Sequence, residues 1–335
     1  MLYDSLVEPE FLQRLQDVPK AETHLHMEGA LPYSLLHEWK PREFPKRPEF
    51  LEPSFRFADF TSFENTLLAH AVPWFTSSER YHKAAQAVFA RLEEQNVRYV
   101  ETSFHIGIPE LTGIPGPEIV QAIKEAAPAR MEVRVFMGML RSSYQGAGKK
   151  IIDDMPTWPS LDGVDLHGHE TIPLEEWTAR AWSEARAAGK VAKAHAGEFG
   201  SVERVREVLE QLPITRLQHG NAVALDEDLQ RIVKERGIVL DMCPVSNYKL
   251  RATKDWDSHP LPDLLRKGIV CTVSTDDPMV LGNWLTDEYL AMARFLGMSE
   301  KEIKEVAGHG LRSALLPSAQ KEALLREWEQ SDFGR

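Results

Sequence analysis

The stretch KAETHLHMEG, residues 20–29, contains the pair of side chains with the clearest capacity for chemistry. His24 and His26 are two positions apart, which on a β-strand places both imidazoles on one face, where they can bind the same metal ion. Glu28 continues this alternation. Two neighbouring histidines also occur as ordinary hydrogen-bonded residues, so a metal site here requires further ligands from other parts of the chain.

Further histidines and aspartates follow short apolar runs later in the chain. They are His105, His167, His169, His195, His219, Asp276 and Asp277. Together with His24 and His26, they place seven of the 12 histidines at predicted strand ends. Chance placement would scatter these histidines, whereas a metal site collects them at one edge of a sheet.

The segment HAGEFGS predicts a histidine at a strand end, a tight bend and then a carboxylate. His195 ends the strand, Gly197 permits the bend, and Glu198 comes directly after it. Glu198 can transfer protons, or it can cap the helix predicted to begin near Ser201. The local sequence favours neither interpretation over the other.

Two further segments also permit both a functional and a structural interpretation. In QHGN, His219 is either exposed at the strand end or buried and hydrogen-bonded to a backbone carbonyl. In STDDP, Asp276 can ligate a metal while Asp277 faces a ligand, because successive side chains on a strand point to opposite sides. In isolation, the Asp-Asp-Pro tripeptide is more typical of an ordinary turn.

Imidazole and carboxylate ligands in this combination favour Zn²⁺. A zinc ion with a single anionic ligand remains a strong Lewis acid and can bring a bound water toward a pKa of about 7. A neighbouring carboxylate such as Glu198 can then carry protons between the nucleophile and the leaving group. The residues therefore indicate metal-assisted hydrolysis, but they do not indicate a substrate.

The order of apolar runs predicts the elements that position these residues. Eight strand-like runs alternate with amphipathic helical patterns, which is typical of a parallel (β/α)₈ TIM barrel, with a doubly wound open sheet as the alternative. The predicted strands are 21–26, 98–104, 132–140, 162–168, 191–197, 215–220, 238–243 and 269–276. Barrel enzymes build their active sites from the carboxyl ends of the strands, where the reactive residues fall.

We expect one metal-dependent hydrolase domain over residues 1–335, because no linker or repeat divides the chain. Residues 32–79 are too long for an ordinary βα connection and predict a helical insertion over the active site. Residues 299–330 predict additional C-terminal helices.

The composition excludes several classes of partner. A formal net charge of −12 over 335 residues repels phosphate backbones and anionic lipid, so we expect no polymeric nucleic acid and no membrane as partners. Cys243 and Cys271 are too few for a disulfide framework, and the N-terminus does not resemble a signal peptide. We therefore expect a cytoplasmic protein; its oligomeric state is not indicated.

The ordered motifs THLHMEG, DLHGHE, HAGE, QHGN, CPVSN and STDDP resemble those of the adenosine deaminase family of the amidohydrolase superfamily. The resemblance runs from about residue 20 to about residue 289. It implies a (β/α)₈ barrel with one zinc ion per chain. It also implies that water replaces the 6-amino group of a purine with oxygen.

The resemblance also assigns roles to individual residues. The implied metal ligands are His24, His26, His195 and Asp276. Glu198 would protonate the purine N1, and His219 would orient the attacking water or help to deprotonate it. Asp277 would exchange a hydrogen bond with N7, and the N–H of Gly168 would meet N3.

The motifs mix two substrate signatures. Glu28 stands where adenosine deaminases commonly have an aspartate that meets the ribose 5′-hydroxyl, and adenine deaminases resemble this chain in having glutamate there. Gly168 instead follows the nucleoside enzymes, since adenine deaminases usually have a serine-rich segment at that point.

We expect an enzyme that converts an adenosine-like 6-aminopurine nucleoside to an inosine-like product and ammonia. The alternatives are a deaminase of 6-aminodeoxyfutalosine, a menaquinone precursor with a benzoate on its 5′ side, an adenine deaminase, or a non-catalytic purine-binding protein. A non-purine amidohydrolase is disfavoured, because the fourth strand does not end in the lysine that binuclear members carry.

Overall fold

Eight parallel β-strands form a sheet in which each strand pairs with the next along the chain. The computed structural model describes residues 3–4, 7–199 and 201–334. The strands are β1 (Lys20–His26), β2 (Val97–His105), β3 (Glu132–Leu140), β4 (Gly163–His167), β5 (Val191–Ala196), β6 (Arg216–His219), β7 (Val239–Met242) and β8 (Cys271–Val273). A parallel bridge between Leu25 and Asp276 joins the first strand to the segment after the last. The predicted TIM barrel is therefore confirmed.

One helix precedes the first strand, and the others lie between the strands or after the last of them. Their bounds are α1 (Pro9–Asp17), α2 (Tyr33–Trp39), α3 (Phe60–Ala71), α4 (Ser78–Glu93), α5 (Gly107–Thr112), α6 (Gly116–Glu125), α7 (Gly146–Asp154), α8 (Glu176–Ala187), α9 (Val202–Gln211), α10 (Glu227–Glu235), α11 (Pro244–Lys249), α12 (Leu261–Arg266), α13 (Pro278–Leu281), α14 (Leu285–Arg294), α15 (Glu300–Ser313) and α16 (Ser318–Gln330). The longer helices are amphipathic: α9, for example, buries Val205, Val208 and Leu209 at helical spacing.

Buried charges link strands that are not neighbours in the sheet, and they therefore lie inside the barrel. Lys193 on β5 forms an ion pair with Glu101 on β2 and donates to the Thr23 carbonyl of β1 at 2.7 Å. Arg216 on β6 lies 3.6 Å from Glu101 on β2, and it also donates twice to Asp241 on the neighbouring strand β7, at 2.7 and 2.9 Å. Burying these charges is tolerable because each has an opposite charge and hydrogen bonds to replace water.

The fourth to the eighth predicted strands all end earlier than the sequence indicated, by one residue each except for the eighth, which is three residues shorter at this end. The eighth ends at Val273 instead of 276, because Asp276 adopts a left-handed backbone with φ of +66°. The fourth ends at His167, since Gly168 has φ of +78°. His169 consequently lies in the loop after β4, and the prediction that it ends the strand was wrong.

The segment 32–79 contains α2 and α3, and the chain ends with α15 and α16. We propose that residues 32–79 are an insertion into a single barrel domain that spans 1–335. Leu67, Leu68 and Ala71 of α3 line the cavity at the carboxyl ends of the strands.

The first residue of β4 gives a test of the barrel packing. A Cβ on Gly163 would lie 2.3 Å from the Phe136 ring and 2.4 Å from the Val191 carbonyl oxygen. We predict that Gly163→Ala lowers the free energy of unfolding by about 1–3 kcal/mol, because the backbone of β5 at Val191 cannot easily move away from the added methyl group. Denaturant unfolding measures this change, and the exposed Ser160→Ala serves as the control. An unchanged unfolding midpoint for Gly163→Ala would contradict the packing described here.

Candidate metal centre and active site

A cavity of about 200 Å³ lies between the carboxyl ends of the strands and helix α3. Its polar end is lined by His26, Glu28, His105, His167, Gly168, His195, Glu198, His219, Asp276 and Asp277. Its apolar wall includes Phe60, Phe63, Leu67, Leu68, Ala71, Val72, Ile108, Leu140 and Leu250. The reactive residues predicted from the sequence therefore meet in one place, with the exceptions of His24 below the cavity floor and His169 at the rim.

Four of the predicted metal ligands bring their donor atoms together. Oδ1 of Asp276 lies 3.4 Å from Nε2 of His24 and 3.2 Å from Nε2 of His26. Nε2 of His195 lies 3.0 Å from Nε2 of His24. Ligand atoms of a tetrahedral zinc ion, with bonds near 2.0–2.1 Å, are about 3.3 Å apart. The donor types therefore fit a zinc ion, and these three separations are close to those of a tetrahedral site.

The described residues contain three groups of side chains whose donor atoms lie within 4.8 Å of one another. The groups are His24, His195, His219 and Asp276; His26, Asp165 and His167; and His26, Asp276 and Asp277. Nε2 of His219 is 3.9 Å from the other oxygen of Asp276, Oδ2, and is therefore farther away than His26. We propose that His24, His26, His195 and Asp276 hold the ion, with His219 beside it.

Each of the three imidazoles is held through its other ring nitrogen. Nδ1 of His24 contacts the Asp241 carbonyl at 3.2 Å, Nδ1 of His26 contacts Oγ of Ser103 at 2.8 Å, and Nδ1 of His195 contacts the Leu166 carbonyl at 2.9 Å. A carbonyl accepts only from a protonated nitrogen, so His24 and His195 carry hydrogen on Nδ1 and leave Nε2 free for a metal.

Glu198 lies in the loop after β5 with its side chain directed at the cavity. Its Oε2 is 3.6 Å from Nε2 of His219, and its buried Oε1 has no hydrogen-bond partner among the described residues. Burial, followed by the charges of Asp276 and Glu170, raises the pKa of Glu198 well above its usual range. The cap of α9 is instead Ser201, which accepts from the Arg204 N–H at 3.2 Å. Burial therefore favours the protonated form of Glu198, whose side chain lines the cavity.

His219 follows Gln218 at the end of β6, and its backbone is left-handed with φ of +60°. The Asn247 side-chain amide donates to its Nδ1 at 3.1 Å, which places the ring hydrogen on Nε2, toward Glu198. Burial, together with the nearby His24, lowers the pKa of His219 well below its usual range. A neutral imidazole thus presents an N–H to the space beside the metal ligands.

Asp277 and Gly168 lie on opposite sides of the cavity. Asp277 is buried against Gly29, where any Cβ would overlap its carboxylate at 1.6 Å, so only glycine fits at that position. Burial raises the pKa of Asp277 well above its usual range, with Asp276 adding to the effect. A protonated Asp277 can donate a hydrogen bond to a ligand.

Glu28 lines the cavity, but one of its oxygens is already engaged. Its Oε1 accepts from the hydroxyl of Tyr81 on α4 and, at 3.1 Å, from the N–H of His105. Burial raises the pKa of Glu28 to about 7. The carboxyl group is therefore fixed in one orientation before any substrate binds.

His105 and His167 form a second imidazole pair in the cavity wall. Nδ1 of His105 and Nε2 of His167 are 2.8 Å apart, and burial lowers the pKa of His105 to about 4. His169 lies at the rim instead, where its Nε2 is 3.4 Å from Glu64 of α3 and its ring packs against Phe60. These contacts connect the loop after β4 with the wall of the cavity.

Sequence reasoning missed two buried carboxylates that bind backbone N–H groups of the site. Glu22 accepts from the N–H of His24 at 3.1 Å and from the N–H of Thr275 at 3.2 Å. Glu170 accepts from the N–H groups of the loop that carries Glu198. The only available signal was position: Glu22 lies two residues before His24, and Glu170 ends the DLHGHE motif.

Comparison with known proteins identifies the family. The family model described as Adenosine deaminase matches residues 19–330. The chain belongs to the adenosine deaminase family. It is 30% identical over 310 residues to a protein named adenine deaminase from Zymomonas mobilis, and the match covers 90% of this chain and 92% of that protein. As a member of this family, the chain is a deaminase, a hydrolase of C–N bonds in cyclic amidines, which confirms the predicted enzyme class.

Solved structures agree with this family assignment. The fold is similar to that of an adenine deaminase from Arthrobacter aurescens, with a TM-score of 0.83 and 26% identity over 93% of this chain and 98% of that one. It is also similar to an amidohydrolase from Burkholderia ambifaria with bound Zn, with a TM-score of 0.83 and 22% identity over 96% of this chain and 93% of that one. Deaminases of this amidohydrolase type bind a metal ion, and the His/Asp group provides a place for one. Among the described residues, no helix is long and apolar enough to cross a bilayer.

Two neighbouring aspartates test the choice of metal ligands. We predict that Asp276→Ala lowers the metal content far below one ion per chain, because it removes the oxygen that both His24 and His26 face. Asp277→Ala is the matched control and should retain the metal, although Asp277 belongs to one of the three groups described above. Elemental analysis of the gel-filtered proteins measures both. Loss of metal from Asp277→Ala alone would contradict the assignment.

Proposed function

We propose that the chain uses a zinc ion to deaminate a 6-aminopurine nucleoside, replacing the amino group at C6 with oxygen and releasing ammonia. The observation that carries this proposal is the continuous cavity from Glu198 and Asp277 to the apolar wall on α3. The polar groups near Glu198 account for the contacts of a purine ring. The apolar wall on α3 is then available to contact a substituent on N9, which free adenine lacks.

The side chains at the polar end match the atoms of a purine. The protonated carboxyl of Glu198 donates to N1, which removes the negative charge that develops on the ring when water attacks C6. A zinc ion, when bound, supplies Lewis-acid activation of that water. His219 faces the same space with its Nε2–H and orients the water. The protonated Asp277 donates to N7, and the Gly168 N–H donates to N3.

The charge of the cavity supports a nucleoside over a nucleotide. Neither lysine nor arginine is among the described residues that line it, whereas the acidic side chains of Glu28 and Glu64 are. A phosphate group would therefore meet carboxylates and apolar surface, with no cation to replace its hydration. The apolar side chains of α3 instead favour an apolar group on the 5′ side of the ribose.

Free adenine is the second candidate, because the proteins from Zymomonas mobilis and Arthrobacter aurescens compared above are named adenine deaminases. The resemblance drawn from the sequence also gives adenine deaminases a glutamate at the position of Glu28. Glu28 already accepts two hydrogen bonds from the protein. These contacts explain a glutamate in place of the shorter aspartate without any contact to a substrate. This favours the nucleoside. We also propose a cytoplasmic location, which suits the two buried free thiols of Cys243 and Cys271.

An assay of ammonia release tests the substrate. We predict that adenosine and adenosines with an apolar 5′ substituent have a higher kcat/KM than adenine, because only they contact the α3 wall. AMP should be unreactive, and 6-aminodeoxyfutalosine tests how a benzoate is accepted. A kcat/KM for adenine above that of every nucleoside would overturn the proposal in favour of an adenine deaminase. No release from any of these compounds by the zinc-loaded protein would reject deamination of purines.

The role of Glu198 has its own test. We predict that Glu198→Gln retains one metal ion per chain and lowers kcat by roughly 10²–10⁴-fold, the usual contribution of general acid–base catalysis. The amide keeps the size of the side chain but cannot deliver the proton to N1. Stopped-time ammonia assays and elemental analysis measure the two quantities, and near-wild-type turnover would rule out the assigned role.

A further inference from the structure

Glu170 is a buried carboxylate that lies outside the cavity, behind the loop that carries Glu198. Its side chain is 2% exposed. Its Oε2 accepts from the N–H of Gly197 at 2.5 Å and from the N–H of Glu198 at 3.2 Å, and its Oε1 accepts from the N–H of Phe199 at 2.6 Å. One carboxylate thus binds three successive backbone N–H groups, those of the proposed acid Glu198 and of the residues on either side of it.

Three consecutive N–H groups that converge on one anion form a backbone nest, an arrangement that binds negative charge. The left-handed Gly197, with φ of +81°, gives the loop this curvature. A Cβ there would lie 2.7 Å from Val205 and 3.1 Å from Ala222, so the position requires glycine. Without Glu170, the three N–H groups would be buried donors without an acceptor, and the loop would have to rearrange to reach water.

We propose that Glu170 is the positioning residue for the catalytic acid, because its carboxylate fixes residues 197–199 so that the Glu198 side chain points at the purine N1. The Glu198 carboxyl has few contacts of its own to hold it: Oε1 has no hydrogen-bond partner among the described residues, Oε2 is 3.6 Å from Nε2 of His219, and the Asn247 side chain lies nearby. Its direction is therefore set by its backbone, and the backbone is set by Glu170.

The loop after β4, which carries Glu170, also meets the substrate in the proposed function, on which this inference rests. Gly168, whose N–H is assigned to the purine N3, is two residues before Glu170, and His169 between them contacts Glu64 and Phe60 of the cavity wall. Residues 168–170 therefore connect the N3 contact, the cavity rim and the acid at N1. A substrate bound at Gly168 presents N1 to an acid that is fixed by the same loop.

Substitution of Glu170 separates positioning from general structural support. We predict that Glu170→Gln lowers kcat by roughly 100-fold, the cost of misplacing a catalytic group by about 1 Å, with metal content unchanged and KM changed far less than kcat. An amide has one accepting oxygen, and its NH₂ would face an N–H of the loop. The matched control is Glu203→Gln, the same substitution at an exposed position on α9, which should leave kcat and KM unchanged.

Rescue by a small anion gives a readout that a merely structural role would not produce. In Glu170→Ala, formate can occupy the vacated nest and restore kcat, whereas the neutral formamide should not. Formate should not restore Glu198→Ala to the same extent, because there the acid itself is missing. If Glu170→Ala is too unstable to purify, Glu170→Gln alone tests the positioning role, with the loop conformation checked by crystallography.

The outcomes distinguish this inference from the proposed function. A wild-type kcat for Glu170→Gln, with wild-type protein active on a 6-aminopurine, would overturn the positioning role and leave the proposed function standing. Loss of metal from Glu170→Gln would also overturn it. So would a Glu170→Ala protein that loses both kcat and thermal stability and that formate does not restore. Wild-type protein that releases no ammonia would instead contradict the proposed function, while a crystal structure of Glu170→Ala with Glu198 displaced would still support the positioning.

Discussion

The meeting of β1 with the segment after β8 is the contact on which the site depends. The N–H of His26 donates to the Asp276 carbonyl, and the N–H of Asp276 donates to the His24 carbonyl, both at 3.0 Å. These two bonds close the barrel at the point where three of the four proposed metal ligands lie. Glu22 strengthens the contact, because its carboxylate binds an N–H from each side.

This contact also stabilises a backbone conformation that would be energetically unfavourable on its own. Asp276 is left-handed, and a non-glycine residue in that conformation costs about 1–3 kcal/mol. The left-handed turn at Asp276 ends the eighth strand early and brings its carboxylate across to the histidines of β1. Ser246, which donates to Oδ2 of Asp276 at 2.7 Å, holds the other oxygen of that carboxylate.

The pKa values of the acidic residues in the site depend on how closely their carboxyl groups lie to one another beside the proposed metal position. Burial and the neighbouring carboxylates raise the pKa of Glu198 and of Asp277, which favours the protonated form of both. Glu170 adds a further carboxylate near Glu198 and accepts hydrogen bonds from its loop. In the proposed function, a metal position beside carboxyl groups that favour protonation suits the addition of water to an aromatic ring.

The sequence predicted much of this arrangement because its signals were local. Alternating strands and helices indicated the barrel, and histidines at strand ends indicated where His24, His26 and His195 would meet. The end of β8 was predicted wrongly, because the left-handed turn at Asp276 depends on a contact with β1 that lies far away in the chain. The bond from Tyr81 to Glu28 joins residues 53 positions apart, so no local pattern reveals it.

The backbone-binding roles of Glu22 and Glu170 were beyond sequence reasoning for a related reason. A carboxylate that accepts from backbone N–H groups is recognised only when the path of both loops is known, since any residue can supply an N–H. The domain boundaries and the roles of the individual site residues stay predictions.

A crystal structure of the zinc-loaded protein with the inosine-type product, measured at the zinc absorption edge, tests the account most directly. We predict one anomalous peak in bonding contact with Nε2 of His24, His26 and His195 and with Oδ1 of Asp276, and the purine N1 beside Glu198. A peak among His26, Asp165 and His167, or a purine whose six-position faces away from Glu198, would contradict the account.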